Sequence, residues 1–442
     1  LFNWLFARQK HGKFILRIED TDRQRSSDEA IEAIVESMEW LGLQWDEGPY
    51  FQSQRYDIYN ATIERLLSRG NAYHCHCNPD DLERRRKDAM ARGLKPKYDG
   101  RCRDLGLKAG HGSVVRLKTP LTGVTQFDDL VKGPIRFDNS ELDDLILRRS
   151  DGTPTYHLAV VADDIDLGIT HVIRGDDHVN NTPRQILIYH SLGIEIPCYA
   201  HVPMILGPDK KRLSKRHGAM SVLTYRDGGY LPEALLNSLA RLGWSHGDQE
   251  RFTRQELIEN FSLKTVGKSA GVFNAEKLLD LNAWYIRESP DQTLARELVP
   301  FLRRLGFNDL DEEKVAKAVA TLKGRSKTLM DMAESARFYF DRDVVYEKKG
   351  DDKFLRTELM DLFRALKKEL RETPHFTQAG LEKTFVAFLE AKGISLKQVA
   401  QPLRVALTGK TASPGIFEVM EVLGKKTVLD RVHKAMAHIQ KK

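Results

Sequence analysis

Apolar positions along the chain recur first in strand-like and helix-like stretches that alternate, and later only at helical spacing. LFNWLFARQKHG (1–12) sets Leu1 against Leu5 and Phe2 against Phe6, four apart, which predicts the body of a helix with no capping Ser, Thr, Asp or Asn ahead of it. KFILRI (13–18) is a short continuous apolar run of the kind found in buried parallel strands, and Glu19, Asp20 and Asp22 follow at its carboxyl end. Asp28 opens an amphipathic helix with Ile31, Ile34, Val35, Met38 and Leu41 on one face and Gly42 as its stop. A second helix carries Tyr59, Ile63, Leu66 and Leu67 to Gly70. The charged segment DLERRRKDAMARG (81–93) predicts another, and SVVRLK (113–118) and GPIRF (133–137) read as strands. In LDDLILRRSDGTPTYHLAVVADD (142–164) a turn at Asp151-Gly152 is followed by an apolar run to Ala162, read as a return of the sheet with Tyr156 as a strand aromatic. HVIR (171–174) is a further strand, and NNTPRQILIYH (180–190) enters a helix at Pro183.

Pro232 starts a helix through Leu235, Leu236, Leu239 and Leu242 to Gly243. From about residue 289 strand signals fade. Val315, Val319 and Leu322, then Leu329, Met332 and Ala336, then Leu355, Leu359, Leu362 and Leu366, then Leu381, Phe385 and Phe388 each fit one helix face. The pattern therefore predicts an α/β region followed by an all-helical one.

Composition narrows the class. The 442 residues suffice for about three domains. With 41% hydrophobic and 30% charged residues and no low-complexity tract, the composition excludes a disordered chain. No apolar run approaches the roughly 20 residues needed to cross a bilayer, and the apolar start is too short for a secretory signal, so no membrane partner is expected. The net charge of +6 suits a phosphate-bearing partner. Four cysteines exclude a disulfide scaffold; three lie close in sequence, which points to a metal site or its relic and to a reducing cytoplasm.

Two stretches carry candidate chemistry. In GPDKKRLSKRHGA (207–219), Arg212, Leu213, Ser214, Lys215 and Arg216 form a basic loop able to bring several cations onto one phosphate chain, as phosphoryl or adenylyl transfer requires. A solvated basic face is the competing reading. Cys75 and Cys77, then Cys102 and Asp104, supply the soft ligands of a structural zinc site with a carboxylate in the fourth place; His74 and His76 are alternatives there, and free thiols the plainer reading.

The basic loop does not stand alone. RIEDTDR (17–23), KYDGRCR (97–103), PTYHLAVVADD (154–164), VIRGDDHVNNTPRQ (172–185), RLSKR (212–216), GYLPEALLNSLARLGWSHGD (229–248) and VAQPLRVALTG (399–409) resemble, in kind and order, the bacterial glutamyl-tRNA synthetases of class I. The resemblance covers essentially the whole chain. RLSKR stands where the ideal second class I signature is Lys-Met-Ser-Lys-Ser, with Arg212 in the first Lys place. The resemblance implies a Rossmann-type catalytic domain (residues 1–74 and 138–221) interrupted by an acceptor-binding subdomain (75–137). A stem-contact helical region (222–288) and a helical anticodon-binding domain (289–442) would follow. The helical end separates this pattern from glutaminyl-tRNA synthetases, which read the anticodon with β-barrels, and from the queuosine-modifying relative, which lacks the region.

The same resemblance implies the activity and its groups. Glutamate would be activated with ATP, Mg2+ riding on the nucleotide, and passed to tRNA(Glu) by a cytoplasmic, monomeric enzyme. Glu19 would meet the substrate amino group, with Tyr156 and Arg174 around its carboxylates; an Arg fork is the expected reader of a carboxylate, and Arg17 competes for that role. Lys215, Arg212 and Arg216 would serve the reaction, with Lys215 and Ser214 on ATP. Zinc-bearing members hold one Zn2+ at the place of Cys75, Cys77 and Cys102, with a thiolate or imidazole where this chain has Asp104, and many members have lost the metal. Arg325, Arg404 and the basic end GKKTVLDRVHKAMAHIQKK (424–442) are candidates for anticodon contact. The first class I signature, a His-Ile-Gly-His type motif, does not occur. Either about 20 residues precede Leu1, the length of one strand, loop and helix start, or the chain is a catalytically inactive tRNA-binding relative.

Overall fold

The computed structural model describes residues 1–21, 28–213 and 221–442. They form two compact units, residues 1–223 with 236–274, and residues 224–235 with 275–442.

The first unit is the α/β one. It begins with α1 (Phe2–Gln9), β1 (Ile15–Ile18), α2 (Asp28–Trp40), β2 (Glu47–Phe51) and α3 (Tyr56–Ser68). Then come β3 (Ala72–Cys75), α4 (Pro79–Ala91), β4 (Val114–Leu117), β5 (Val124–Asp129), β6 (Gly133–Asp138) and β7 (Ile146–Arg148). The series closes with α5 (Tyr156–Asp166), β8 (His171–Gly175), α6 (Thr182–Leu192), β9 (Cys198–Val202) and β10 (Ile205–Leu206). Beyond α7 (Val222–Asp227) and α8 (Pro232–Arg241), this unit adds α9 (Arg254–Asn260) and β11 (Gly271–Val272).

Strands β8 and β9 are parallel, with Arg174 opposite His201; β5 joins β9 in parallel and pairs antiparallel with β6. β1 and β2 form a parallel pair, β10 and β11 another, and β3, β4 and β7 a separate antiparallel sheet. Glycine is required at Gly48 (φ +101°), where a Cβ would stand 2.3 Å from the Leu16 carbonyl oxygen, so only Gly lets β2 lie against β1. Asn3 of α1 donates its amide to the Ile173 carbonyl at 2.9 Å and fastens that helix to β8. Leu158, Val161 and Ala162 of α5, Leu187 and Ile188 of α6, and Tyr59, Ile63 and Leu66 of α3 share one buried core.

One expectation fails here. The run from Tyr156 to Ala162 is not strand but the start of α5, entered from extended Thr155 after Pro154. The segment has eleven helical residues and buries six in succession from Leu158 to Asp163. A helix packed on several sides shows the same unbroken apolar run as a buried strand, and length decides between them.

The second unit is helical. Its elements are α10 (Ala275–Glu288), α11 (Asp291–Arg304), α12 (Glu312–Leu322), α13 (Leu329–Phe340), α14 (Lys348–Phe354), α15 (Met360–Glu372), α16 (Gln378–Lys392), α17 (Leu396–Thr408) and α18 (Ile416–Gln440). The last is broken at Gly424 (φ 76°, ψ 157°). Asp311, Thr328 and Thr377 cap their helices by accepting from Lys314, Asp331 and Gly380 backbone N–H groups. The inward faces meet in one core that includes Leu298, Val319, Met332, Phe363, Phe385, Leu403 and Val432. Among the described residues no helix is long and apolar enough to cross a membrane.

Candidate active site

Parallel strands expose their ligand-binding edge at their carboxyl ends. Glu19 and Asp20 follow β1 there, and Arg174 is the next-to-last residue of β8. Asp20 is occupied in the fold, because its carboxylate accepts the Ser53 backbone N–H at 2.8 Å and the Ser53 hydroxyl at 2.5 Å. Glu19 remains about half exposed, its carboxylate 3.8 Å from Arg17.

The two arginines near these strand ends are paired differently. Arg17 donates to Asp164 at 2.7 Å and faces Asp163 at 3.7 Å. Burial disfavours its charge, but Asp164, Asp163 and Glu19 outweigh that and hold its pKa above the usual guanidinium value. Arg174 donates instead to neutral acceptors, from Nε to His201 at 3.2 Å and from Nη2 to Thr182 at 2.8 Å. Among the described residues no carboxylate comes within 4 Å of it. A partly buried guanidinium so placed keeps its remaining N–H donors and its charge for an incoming anion.

Tyr156 opens α5 and lies 3.3 Å from His178 Nδ1. Burial raises its hydroxyl pKa first, the Glu19 carboxylate adds to that, and Arg174 opposes it, so these groups act on one another. The Gln185 side chain also bears on the Tyr156 hydroxyl, while Tyr189 Oη and His157 Nδ1 are buried and find no hydrogen-bond partner among the described residues. The structure thus brings Glu19 and Arg174 close enough to Tyr156 for both to act on its hydroxyl. Sequence reading passed over Asp163, Asp164, Thr182 and His201. The only signal for them was their place next to the strand and helix ends already singled out.

Arg212 bridges to Leu206 of β10 and is exposed, with Nη2 3.7 Å from Asp177. Ser214, Lys215 and Arg216 lie outside the described residues.

The cysteine cluster differs from the expected ligand set. The sulfurs of Cys75, Cys77 and Cys102 lie within 4.8 Å of one another. Asp104 is not among them, because its exposed carboxylate pairs with Lys118 at 2.8 Å. The oxygen at the cluster belongs to Tyr98, whose hydroxyl is 3.3 Å from Cys75 Sγ and 3.6 Å from Cys77 Sγ and accepts the Cys102 backbone N–H at 3.2 Å. His76 turns its Nε2 toward the Lys108 carbonyl at 2.9 Å. Burial opposes ionisation of Cys75, but Tyr98, the Cys77 backbone and Arg116 bring its thiol down to about 7. Arg116 is buried, with its Nε unpartnered among the described residues. Three thiolates and one buried cation would leave a divalent ion nearly neutralised, so the donor set fits zinc.

The sequence pattern of the family described as "tRNA synthetases class I (E and Q), catalytic domain" matches residues 1–280, and that described as "Anticodon binding domain" matches residues 293–436. The chain belongs to the class I glutamyl- and glutaminyl-tRNA synthetase family. It is 57% identical to the glutamate–tRNA ligase of Syntrophobacter fumaroxidans, covering 100% of this chain and 94% of that one. It is 55% identical to that of Geotalea uraniireducens, covering 100% of this chain and 95% of that one. Its fold matches the crystal structure of a glutamate tRNA ligase from Elizabethkingia meningosepticum in complex with its amino acid. That match has a TM-score of 0.84 at 31% identity, covering 99% of this chain and 95% of that one. The α/β unit is thus a class I synthetase catalytic region, and the helical unit carries the anticodon-binding pattern.

Proposed function

We infer that the chain is a glutamate–tRNA ligase that activates glutamate with ATP and transfers it to the 3′ end of tRNA(Glu). The observation that carries the reading is the pairing at these strand ends, where one guanidinium, Arg174, forms no ion pair within 4 Å among the described residues, Asp164 acting on it only at longer range, while the Glu19 carboxylate stands in the same region. An amino acid with a second carboxylate fits that arrangement. Its ammonium meets Glu19, and a carboxylate takes the Arg174 fork beside Tyr156.

The α-carboxylate attacks the α-phosphorus of ATP, forming glutamyl-adenylate and releasing pyrophosphate. Lys215, with Arg212 and Arg216, offsets the negative charge that develops, and Mg2+ arrives with the nucleotide. The terminal ribose 2′-hydroxyl then takes the glutamyl group and AMP leaves. No side chain acts as nucleophile, so the protein contributes positioning and electrostatics. Cys75, Cys77 and Cys102, with Tyr98 beside them, would hold a zinc ion that ties β3 to the segment around Cys102, a structural role.

The test is glutamate-dependent ATP–pyrophosphate exchange by the full-length protein, with and without tRNA(Glu). Exchange that requires glutamate, and that Lys215→Ala lowers with little change in tRNA binding, supports the reading. Silence with tRNA still bound would overturn it in favour of a non-catalytic tRNA-binding protein.

A further inference from the structure

Arg174 is aimed by a buried chain of groups that neither strand edge nor motif announces. His201 of β9, its register partner, is fully buried. The His201 Nδ1 stands 2.6 Å from Asp129 Oδ2, and Asp129 itself ends β5. Asp129 also accepts the backbone N–H groups of Lys132 at 2.8 Å, Val131 at 3.0 Å and His201 at 3.0 Å. Burial disfavours the Asp129 carboxylate, but the His201 bond and these N–H groups outweigh it and keep its pKa below the ordinary value. An ionised carboxylate can only accept, so the proton between the pair sits on Nδ1. On the other side of the ring, Arg174 can only donate, so Nε2 carries a lone pair. Both neighbours demand the same neutral tautomer. With it, Nε2 receives the Arg174 Nε–H and lies 3.0 Å from the Thr182 hydroxyl, which itself accepts Arg174 Nη2. The Arg174 guanidinium also lies over the Tyr199 ring, at 5.6 Å from its centroid, while that ring stacks on His201.

We propose that His201, held as its Nδ1–H tautomer by Asp129, is a positioning residue that fixes the Arg174 fork for the substrate carboxylate. The proposal rests on the reading of Arg174 given above. Two of its five N–H donors point back into the protein and the rest are left for the ligand. Protonating the ring, or moving its proton to Nε2, would set a donor against a donor and release the fork.

Asp129→Asn tests this with almost no change in shape. The amide oxygen keeps the bonds to Val131 and Lys132, while its NH2 group takes the Oδ2 place, faces Nδ1 and drives the ring proton to Nε2, leaving the His201 backbone N–H its bond to the retained oxygen at 3.2 Å. The readouts are 15N chemical shifts of labelled histidine and steady-state exchange kinetics of the full-length protein with L-glutamate and ATP. The expected result is a proton on Nδ1 in the wild type and on Nε2 in the variant. The glutamate KM should rise about ten- to a hundredfold, the factor for one lost hydrogen bond to a charged group, with kcat and the ATP KM nearly unchanged. Should Asp129→Asn not fold, His201→Gln, which keeps an acceptor toward Arg174, should hold a lower glutamate KM than His201→Leu. Equal values for those two overturn the proposal, as does a moved proton with an unchanged glutamate KM. Arg174→Ala separates the two readings. If it raises the glutamate KM while Asp129→Asn does not, only the positioning role falls; if it changes nothing, the carboxylate role of Arg174 falls and takes the positioning role with it.

Discussion

Replacing Asp163 by Asn should destabilise the catalytic unit strongly while leaving glutamate binding intact. The Asp163 side chain is fully buried. It accepts Arg55 Nε at 2.7 Å, Gln52 Nε2 at 2.8 Å and the Tyr59 hydroxyl at 3.0 Å, and faces Arg17 at 3.7 Å. These groups come from β1, the turn after β2, α3 and α5, so one carboxylate ties four segments. An amide of the same size has one acceptor oxygen; kept toward Arg55, it leaves the NH2 group facing the Tyr59 hydroxyl and the Gln52 amide, which can both accept, while the pairing with Arg55 and Arg17 loses its negative charge. Removing one partner of a buried ion pair costs about 3–5 kcal/mol. The amide oxygen retains one bond worth about 1 kcal/mol, which leaves a loss of roughly 2–4 kcal/mol. In a unit of this size each kcal/mol lowers the midpoint by about 2–4 °C, so the expected drop is roughly 4–16 °C. Differential scanning calorimetry suits the measurement, because two units need not melt in one transition. Arg17 remains docked on Asp164 at 2.7 Å, so the glutamate KM should stay near the wild-type value. Pairing Asp163→Asn with Arg55→Met should cost less than the sum of the two, since the double variant leaves no unpaired charge at that bond. A transition within about 1 °C of wild type, or strict additivity in that cycle, would refute the assignment of Asp163 as the tie.

Three further outcomes are expected. Arg431→Met should destabilise the helical unit by about 1–4 kcal/mol, because it strands the buried Leu407 carbonyl and the half-buried Asp341 carbonyl that Arg431 now meets at 2.6 and 2.7 Å, the first orphan costing about 1–3 kcal/mol and the second at most about 1; a calorimetric transition unmoved by the change would refute that role. Burial above all, with Arg184, Arg174 and His178 adding to it, brings the His157 imidazole down to about 4 from 6.5. Its contribution to stability is therefore complete above pH 6.5 and is lost as pH falls toward 4, at most about 3.5 kcal/mol at 1.4 per pKa unit, and His157→Phe should flatten that part of the stability-against-pH curve relative to wild type. Zinc content by plasma mass spectrometry should be one ion per chain, abolished by Cys102→Ser and unaffected by Asp104→Ala; Tyr98→Phe should weaken zinc binding about 10–100-fold, the range for groups that orient metal ligands.

Much of the fold was legible because it rests on local periodicity. The helix face of Ile31, Ile34, Val35 and Met38 became α2, and three of the helical sets beyond residue 289 each lie on one helix of the second unit; the set of Leu355, Leu359, Leu362 and Leu366 does not, since Leu355 follows α14, Leu359 precedes α15 and only Leu362 and Leu366 lie in α15. The sheet edge was legible too, since KFILRI and HVIR end in the residues that stand there. Where the signal failed, distance along the chain was the reason. Tyr98, not Asp104, meets the thiols, because a C-x-D spacing fixes sequence separation only, whereas the side-chain direction follows from a loop that pairs Asp104 with Lys118. His201 and Asp129 are 72 positions apart and meet only because β5 and β9 pair in parallel. The α5 segment was misread because its buried face is too broad to show a period.

Arg17 and Arg174 show what decides function at this edge. Each stands on a short apolar strand, in LRIED and in VIRGDD, and by residue type and local sequence either could read a carboxylate. What separates them is compensation. The acid that takes Arg17 lies 147 positions away on α5, and with it the cation becomes part of the scaffold. The groups that take Arg174 are a threonine hydroxyl and a neutral imidazole, acceptors strong enough to orient a guanidinium but carrying no charge to cancel it. Exchanging those roles would need no change at either arginine. An acid at Thr182 would neutralise Arg174 in place, and the edge would then bind a carboxylate poorly although Glu19, Tyr156 and Arg174 were all still present. For that reason the neutral partners of Arg174 specify the substrate's charge as much as the arginine does.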